Sequence, residues 1–281
     1  MKYREYIVEK TENKRLLIIT DIHNCHANWY GMENDDRMEL MCAALRREYD
    51  KAPYDAILCL GDYSLDFWGG ELGGSYLWTP SVSRTAEFVE KYLPKFPTKS
   101  YMIPGNHEQY SYAKWKEITG FDREYTVVYG DFVFVMLDTF RGILDPTENG
   151  DGAYSGVNLE LLGKALMEHP DKEIILCTHY FDPKSESEEV KKLIASEKRI
   201  RTVFAGHRHI STTVILDESW RNLPVVFCGN FSYHRLSKSA DYFGTVFRSF
   251  MSEEMGEWGY RILDLSDGNL STDYMRVSKS E

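Results

Sequence analysis

The chain has 281 residues, 43% hydrophobic and 27% charged, with a formal net charge of -11 at pH 7. That balance fits an ordinary globular protein and excludes disordered and membrane-spanning classes, while the acidic excess repels polyphosphate backbones and speaks against a nucleic-acid polymer as partner. Met1 to Lys14 lacks the apolar core of a signal peptide and no apolar run could span a bilayer, so a cytoplasmic protein with no membrane partner is expected.

The five cysteines form no CxxC pair, as suits a reducing compartment. Cys59, Cys177 and Cys228 lie in or beside apolar runs, and Cys42 keeps helical spacing with its apolar neighbours; these read as small core residues. Cys25 sits in a polar loop and is the one thiol that stands out.

Taken in order, Arg15 to Thr20 is a continuous apolar run, the pattern of a strand buried on both faces, and it ends at Asp21-Ile22-His23-Asn24. In extended backbone, side chains two apart point the same way, so Asp21 and His23 can converge. From Asp35 to Glu48, Met38, Met41, Cys42 and Leu45 recur at helical spacing. Ala56 to Leu60 is a second buried strand ending at Gly61-Asp62, and the strand-helix-strand order predicts a right-handed parallel crossover that sets Asp62 beside Asp21. Tyr63 to Ser83 is a long connection rich in glycine and aromatics, Trp68, Tyr76 and Trp78 among them, which reads as a satellite core or a substrate-facing wall.

A helix over Ser83 to Leu93 leads to a third strand, Tyr101 to Ile103, and to the turn Pro104-Gly105-Asn106-His107-Glu108. A short helix over Ala113 to Thr119 closes at Gly120, and strands Tyr125 to Tyr129 and Phe132 to Leu137 turn at Gly130-Asp131. In the loop Thr139 to Val157, Thr147 and Gly156 stand where a calcium loop needs oxygen ligands, which excludes that reading. Asn158 caps a helix running to Glu168.

Ile174 to Cys177 is a strand ending at Thr178-His179, a polar helix covers Ser187 to Glu197, and Val203 to Ala205 ends at Gly206-His207-Arg208-His209. Strand-like runs at Thr212 to Leu216, Val225 to Cys228 and Arg261 to Leu265 follow. No linker divides the chain, so one domain over 1–281 is expected, with long loop insertions at 63–83, 139–157 and 231–258.

Five apolar runs thus each end in metal-type side chains: Asp21 and His23, Asp62, Asn106 and His107, His179, then His207 and His209. The ordered set Asp-x-His, Gly-Asp, Gly-Asn-His-Glu, His and Gly-His-x-His resembles the calcineurin-like metallophosphoesterases over nearly the whole chain, from Leu16 to about Val277. The resemblance implies an α/β fold: a two-sheet β-sandwich flanked by helices in four layers, αββα, with a two-metal site at the carboxyl ends of the strands. It implies that Asp21, His23, Asp62 and His209 hold one ion, that Asp62 bridges to a second held by Asn106, His179 and His207, and that His107 is the catalytic imidazole.

The donors, imidazoles and oxygens without thiolates, suit two divalent or trivalent ions of Mn, Fe, Zn or Ni better than Mg or Ca. Such a pair activates a bridging water for in-line attack on phosphorus, with His107 assisting the leaving group. The expected substrate is a small phosphomonoester or phosphodiester, nucleotide-like if the loop aromatics stack on a base. The alternative is an inactive binding or scaffold protein on the same fold; a structural zinc site would instead call for thiolates.

Two positions depart from the family pattern. The acidic residue that orients the catalytic imidazole usually lies three positions after the bridging Asp, whereas here Asp66 lies four after Asp62, which puts that role in doubt. A glycine often follows Asp-x-His, whereas here Asn24-Cys25-His26 follows; Asn24 is placed to reach a substrate oxygen, and His26 reads as a residue outside the ligand set. Strand alternation turns Arg208 away from the site.

Overall fold

The computed structural model describes residues 3–9, 11–25, 27–66, 83–143, 152–233 and 258–278. In chain order the elements are β1 (Arg4–Ile7), β2 (Arg15–Ile19), α1 (Asn34–Lys51), β3 (Ala56–Cys59), α2 (Arg84–Glu87), β4 (Ser100–Met102), α3 (Tyr112–Thr119), β5 (Tyr125–Tyr129), β6 (Phe132–Leu137), α4 (Leu159–Glu168), β7 (Glu173–Thr178), α5 (Glu188–Ser196), β8 (Ile200–Ala205), β9 (Thr213–Ile215), β10 (Pro224–Phe227), β11 (Gly259–Asp264) and β12 (Ser271–Arg276). Helix α2 continues through a π-helical turn, Phe88–Tyr92, and a 3-10 turn, Leu93–Lys95.

Four of the five α-helices among the described residues begin where a side-chain oxygen takes up an exposed backbone N–H. Ser83, Ser111, Asn158 and Ser187 cap α2, α3, α4 and α5, and Gly120 closes α3 in the left-handed conformation, φ 78°.

Strand alternation sorts the apolar residues into layers. In β2, Leu16 and Ile18 join Leu58, Tyr101, Phe134, Met136 and Ile175 in a core between two sheets, while Leu17 and Ile19 turn outward onto Met38, Met41 and Leu45 of α1. On the opposite face, Val133, Val135 and Leu176 pack on Leu161 and Ala165 of α4 and on Val190 and Ile194 of α5. The result is the four-layer αββα sandwich.

One sheet has five strands in the order β12-β11-β2-β3-β4, and the other has seven in the order β1-β5-β6-β7-β8-β10-β9. Strands β2, β3 and β4 are parallel, with Ile19 paired to Cys59 and Cys59 to Met102. Strands β6, β7 and β8 are likewise parallel, with Leu137 paired to Thr178 and Thr178 to Ala205. Their carboxyl ends are therefore level within each sheet, as ligand sites at such ends require.

Two strands escaped the sequence reading. Strand β1 pairs parallel to β5 with three of its four residues exposed, and β12 pairs antiparallel to β11 with no residue fully buried. Both are edges of charged and polar residues, which carry no apolar signal. Cys25 is buried, 1% exposed, so its polar sequence neighbours misplaced it. His26, Trp68, Tyr76, Trp78, Thr147 and most of the three long loops lie outside the described residues. Among the described residues no helix is long and apolar enough to cross a membrane.

The turns after β3 and β4 touch backbone to backbone. Gly61 has φ +91°, and a Cβ there would fall 2.5 Å from Gly105 N and 2.6 Å from its Cα. Gly61→Ala is expected to lower stability by about 1–3 kcal/mol through strain and overpacking. The urea midpoint measures this, and an unchanged midpoint would contradict so tight an approach.

Candidate metal centre

The polar groups begin between one and four residues past the strand ends, His179 directly after Thr178 and Asn106 four residues after Met102, and at several of them the backbone bends sharply. Asp21 (φ 51°), His23 (φ 46°), Asp62 (φ 55°), His207 (φ 67°) and His209 (φ 56°) all occupy the left-handed region. Residues other than glycine seldom adopt it, and where they do the cost is about 1–3 kcal/mol each, typically at functional sites. Asp21 and His23 do converge, but through paired left-handed residues and not through extended alternation.

Neighbouring loops hold these bends in place. Asp21 N donates to Gly61 O (3.1 Å), Ile22 N and His23 N both donate to Asp62 O (2.9 Å each), and Asn24 N donates to Tyr63 O (2.6 Å).

The alternation argument that set Arg208 aside fails for the same reason. Its Nη2 donates to Tyr180 Oη (2.8 Å) and its guanidinium lies 5.0 Å from the centre of that ring, which itself stands 4.4 Å from the His207 ring. Arg208 is therefore at the rim, beside a candidate ligand.

All eight candidate side chains come together. Three groups have donor atoms mutually within 4.8 Å: Asp21, His23 and His209; His23, Asp62 and His107; and Asp62, His179 and His207. His209 Nε2 lies 3.1 Å from Asp21 Oδ1 and 3.2 Å from His23 Nε2. His179 Nε2 lies 3.1 Å from Asp62 Oδ2, and Asn106 Oδ1 lies 3.1 Å from His179 Nε2 and 2.9 Å from His207 Nδ1. His107 is within the cluster too, its Nε2 3.8 Å from Asp62 Oδ2 and its backbone N–H donating to Asp62 Oδ1 (3.3 Å). All are buried except the partly exposed His207, which marks the open side.

The tautomers fit a metal. His23, His179 and His209 each place Nδ1 against a backbone carbonyl, of Ser64 (3.0 Å), Leu60 (2.8 Å) and Tyr233 (2.6 Å). A carbonyl only accepts, so Nδ1 carries the proton and the Nε2 lone pair of the neutral ring faces the cluster. With two carboxylates, an amide oxygen and no thiolate, the donors suit a first-row transition ion.

Burial would raise the Asp62 carboxyl, but the charges of His179, His107 and His23 outweigh it and hold the group well below the usual carboxylate range. Burial would lower His179, yet Asp62 and Asp21 draw it up to about 9.

Sequence reasoning gave no role to two supporting residues. Glu108 accepts from Gly105 N and Asp62 N (2.9 Å each) and from Ser64 N (3.1 Å), so one carboxylate ties the turn after β4 to the turn after β3. Burial, then the Asp62 charge, push its carboxyl up to about 7. Arg37, fully buried on α1, donates to the carbonyls of Ile22 (2.6 Å), His23 (2.7 Å) and Phe231 (2.5 Å). Glu108 was visible as part of its motif; Arg37 carried no signal beyond a charge on an apolar helix face.

Asn24 does not face substrate: its Nδ2 donates to Arg84 O (2.9 Å) and its Oδ1 accepts from Asn34 Nδ2 (2.8 Å). Asp66 accepts from Arg84 N (2.8 Å), Thr85 N (3.3 Å), Ser83 Oγ (3.0 Å) and Tyr110 Oη, so it braces the start of α2 and does not orient His107.

The family model for calcineurin-like phosphoesterases matches residues 14–211. No curated protein sequence matches the chain. Among solved structures, the chain is similar to the sulfate thiohydrolase SoxB of Thermus thermophilus, with 12% identity and a TM-score of 0.50 over 97% of this chain and 58% of that one. It is also similar to TT1561, another Thermus thermophilus protein, with 16% identity and a TM-score of 0.49 over 94% and 99% of the two chains. A phosphatase of Mycoplasma pneumoniae matches with 10% identity and a TM-score of 0.46 over 94% and 92%. At such identities the likeness is one of fold.

Metal binding is expected to depend on pH with a definite sign. A cation needs the Nε2 lone pair of His179, whose proton stays on until about pH 9 in the metal-free protein. Binding therefore expels a proton, and apparent affinity should rise by up to about tenfold per pH unit per proton displaced, levelling off above that pKa. Calorimetric titration in buffers of different ionisation enthalpy measures the release. An affinity flat between about pH 6 and 8 would contradict the assignment.

Proposed function

The chain belongs to the calcineurin-like phosphoesterase family, and from that premise we propose that it hydrolyses a small phosphoester with the aid of two transition-metal ions. The observation that carries this reading is the convergence of five imidazoles, two carboxylates and one amide at the carboxyl ends of strands from both sheets. Asp21, His23, Asp62 and His209 would hold one ion, and Asp62, Asn106, His179 and His207 the other. Mn, Fe, Zn and Ni are the ions such donors favour. When bound, the pair supplies a nucleophile from water at neutral pH and neutralises charge on the phosphoryl oxygens.

The chain's own contribution is position and proton transfer. The carbonyls of Ser64, Leu60 and Tyr233 keep three imidazoles turned inward, and His207 N, donating to Asp21 Oδ2 (2.8 Å), fixes the first carboxylate. His107 gives its proton to the departing alkoxide. Two carboxylates against two or more positive charges per ion leave the centre positive, so a phosphate group is drawn to it. On the open side, Tyr180 is stacked with Phe140 (6.5 Å between rings, 16° between planes) and carries Arg208. An aromatic face beside a guanidinium favours a phosphoester with a ring, as in a nucleotide. The net charge of -11 favours a small substrate over a polymer.

Protein reloaded with Mn, Fe, Zn or Ni should bind two ions per chain and hydrolyse a chromogenic monoester or diester. His107→Ala should lower kcat by about 10²–10⁴-fold with metal content unchanged. Equal rates in the two proteins, or no turnover of either ester with both ions bound, would overturn the hydrolase reading in favour of a binding role on the same fold.

A further inference from the structure

The two ends of the metal cluster have different walls. Around His23 and His209 the wall is aromatic and closed. Tyr233 stands 4.5 Å from the His209 ring and 5.6 Å from the His23 ring, and Trp29 stands 6.4 Å from the His23 ring. Both rings belong to one buried apolar cluster with Cys25 and Leu65, Trp29 being 3% and Tyr233 8% exposed.

Around His179 and His207 the wall is aromatic too, but it is partly exposed and carries a charge. His207, Tyr180 and Arg208 all reach the surface in part, whereas His23, His179 and His209 are buried. A substrate therefore approaches the centre past these three residues. Tyr180 directly follows His179 at the end of β7, and Arg208 lies between His207 and His209 after β8, so the strands that place the donors also place this pair.

The pair is held firmly. Arg208 Nη2 donates to Tyr180 Oη (2.8 Å), and the Tyr180 ring stands 4.4 Å from the His207 ring. Behind it, Phe140 is stacked on Tyr180 and Tyr154 meets it edge-on, 5.2 Å between rings. Tyr154 Oη donates to Glu186 and accepts from Asp182 N (3.1 Å), while Thr139 Oγ1 donates to Tyr180 O (2.8 Å). A guanidinium fixed in this way loses little freedom when it meets an anion.

Its distance from the ions decides what it meets. Tyr180 touches both Arg208 and His207, so the guanidinium is one side chain removed from a candidate ligand. At that remove it faces the alcohol part of an ester and not the phosphoryl group between the ions. A guanidinium is a planar fork of donors that matches a carboxylate or a phosphate.

We propose that Arg208, positioned by Tyr180, is the specificity residue of this centre, and that it selects phosphoesters whose alcohol part carries a second anionic group. The proposal rests on the hydrolase reading for the place of the reacting phosphoryl group.

The test uses phenyl phosphate, 4-carboxyphenyl phosphate and 4-phosphonophenyl phosphate, each as the monoester and as its methyl diester, with release of the phenol followed. In the protein loaded with both ions, at least one substituted ester should exceed its phenyl parent in kcat/KM by about tenfold or more. The better of the two substituents identifies the anion. In Arg208→Gln that ratio should fall to near one, and in Tyr180→Phe, which keeps the ring but removes the hydroxyl that holds the guanidinium, it should also fall. The proposal is overturned if neither substituted ester is preferred, or if both variants, folded and with both ions bound, keep the preference. Where no phenol is released with both ions bound, the hydrolase reading has failed, and calorimetric titration with the same esters decides the proposal by itself: a binding preference that Arg208→Gln removes upholds it, and equal binding overturns it.

Discussion

Everything at the centre depends on one geometric constraint: donor groups from five separate strand ends must face a single small volume. Extended strands cannot do this, because their side chains stand perpendicular to the sheet. After β2, β3 and β8 the chain meets the constraint by bending into the left-handed region, at five of the donor residues. Such conformations persist only where the surroundings over-determine them. Here the surroundings are backbone: the turn at 21–24 is hydrogen-bonded along its length to the turn at 61–63, and Phe231 N closes on Asp21 O (3.1 Å). Gly206 belongs to the same arrangement, for a Cβ there would lie 2.6 Å from Asp21 Oδ2.

The centre is divided between the sheets. Asp21, His23, Asp62, Asn106 and His107 follow β2, β3 and β4 of one sheet, and His179, His207 and His209 follow β7 and β8 of the other. Neither sheet holds a complete set. The contact that assembles the centre is therefore the apolar layer between the sheets, where Leu16, Ile18 and Leu58 meet Phe134, Met136 and Ile175. Burying these side chains contributes roughly 1.5–3 kcal/mol each, which offsets the strain and desolvation concentrated at the strand ends.

The charges follow the same logic. Two buried carboxylates stand among imidazoles, an arrangement that demands protons or cations. Arg37 adds a buried guanidinium whose pKa burial lowers to about 10. It is sustained by the carbonyls of Ile22, His23 and Phe231, by Asn34 Oδ1 (3.0 Å) and by the face of Trp29 at 4.6 Å. Its charge thus serves to pin the turn that carries His23. Glu108 does the corresponding work for the turns after β3 and β4, as the acceptor for three backbone N–H groups.

The apolar strands, the parallel crossover from β2 to β3 and the set of polar residues that converges at the strand ends were legible in the sequence. Short continuous apolar runs such as Leu16 to Ile19, bounded by polar and turn residues, fit strands buried on both faces, and polar groups such as Asp21 and Asp62 at their ends are costly unless they have a use. The capping residue Asn158 likewise announced its helix, since its reach is local. The edge strands β1 and β12, the burial of Cys25 and Asn24, the place of Arg208 at the rim and the clamps of Arg37 and Glu108 were decided by tertiary structure alone. Each depends on contacts between segments far apart in the chain, or on a backbone bend that no side-chain periodicity records.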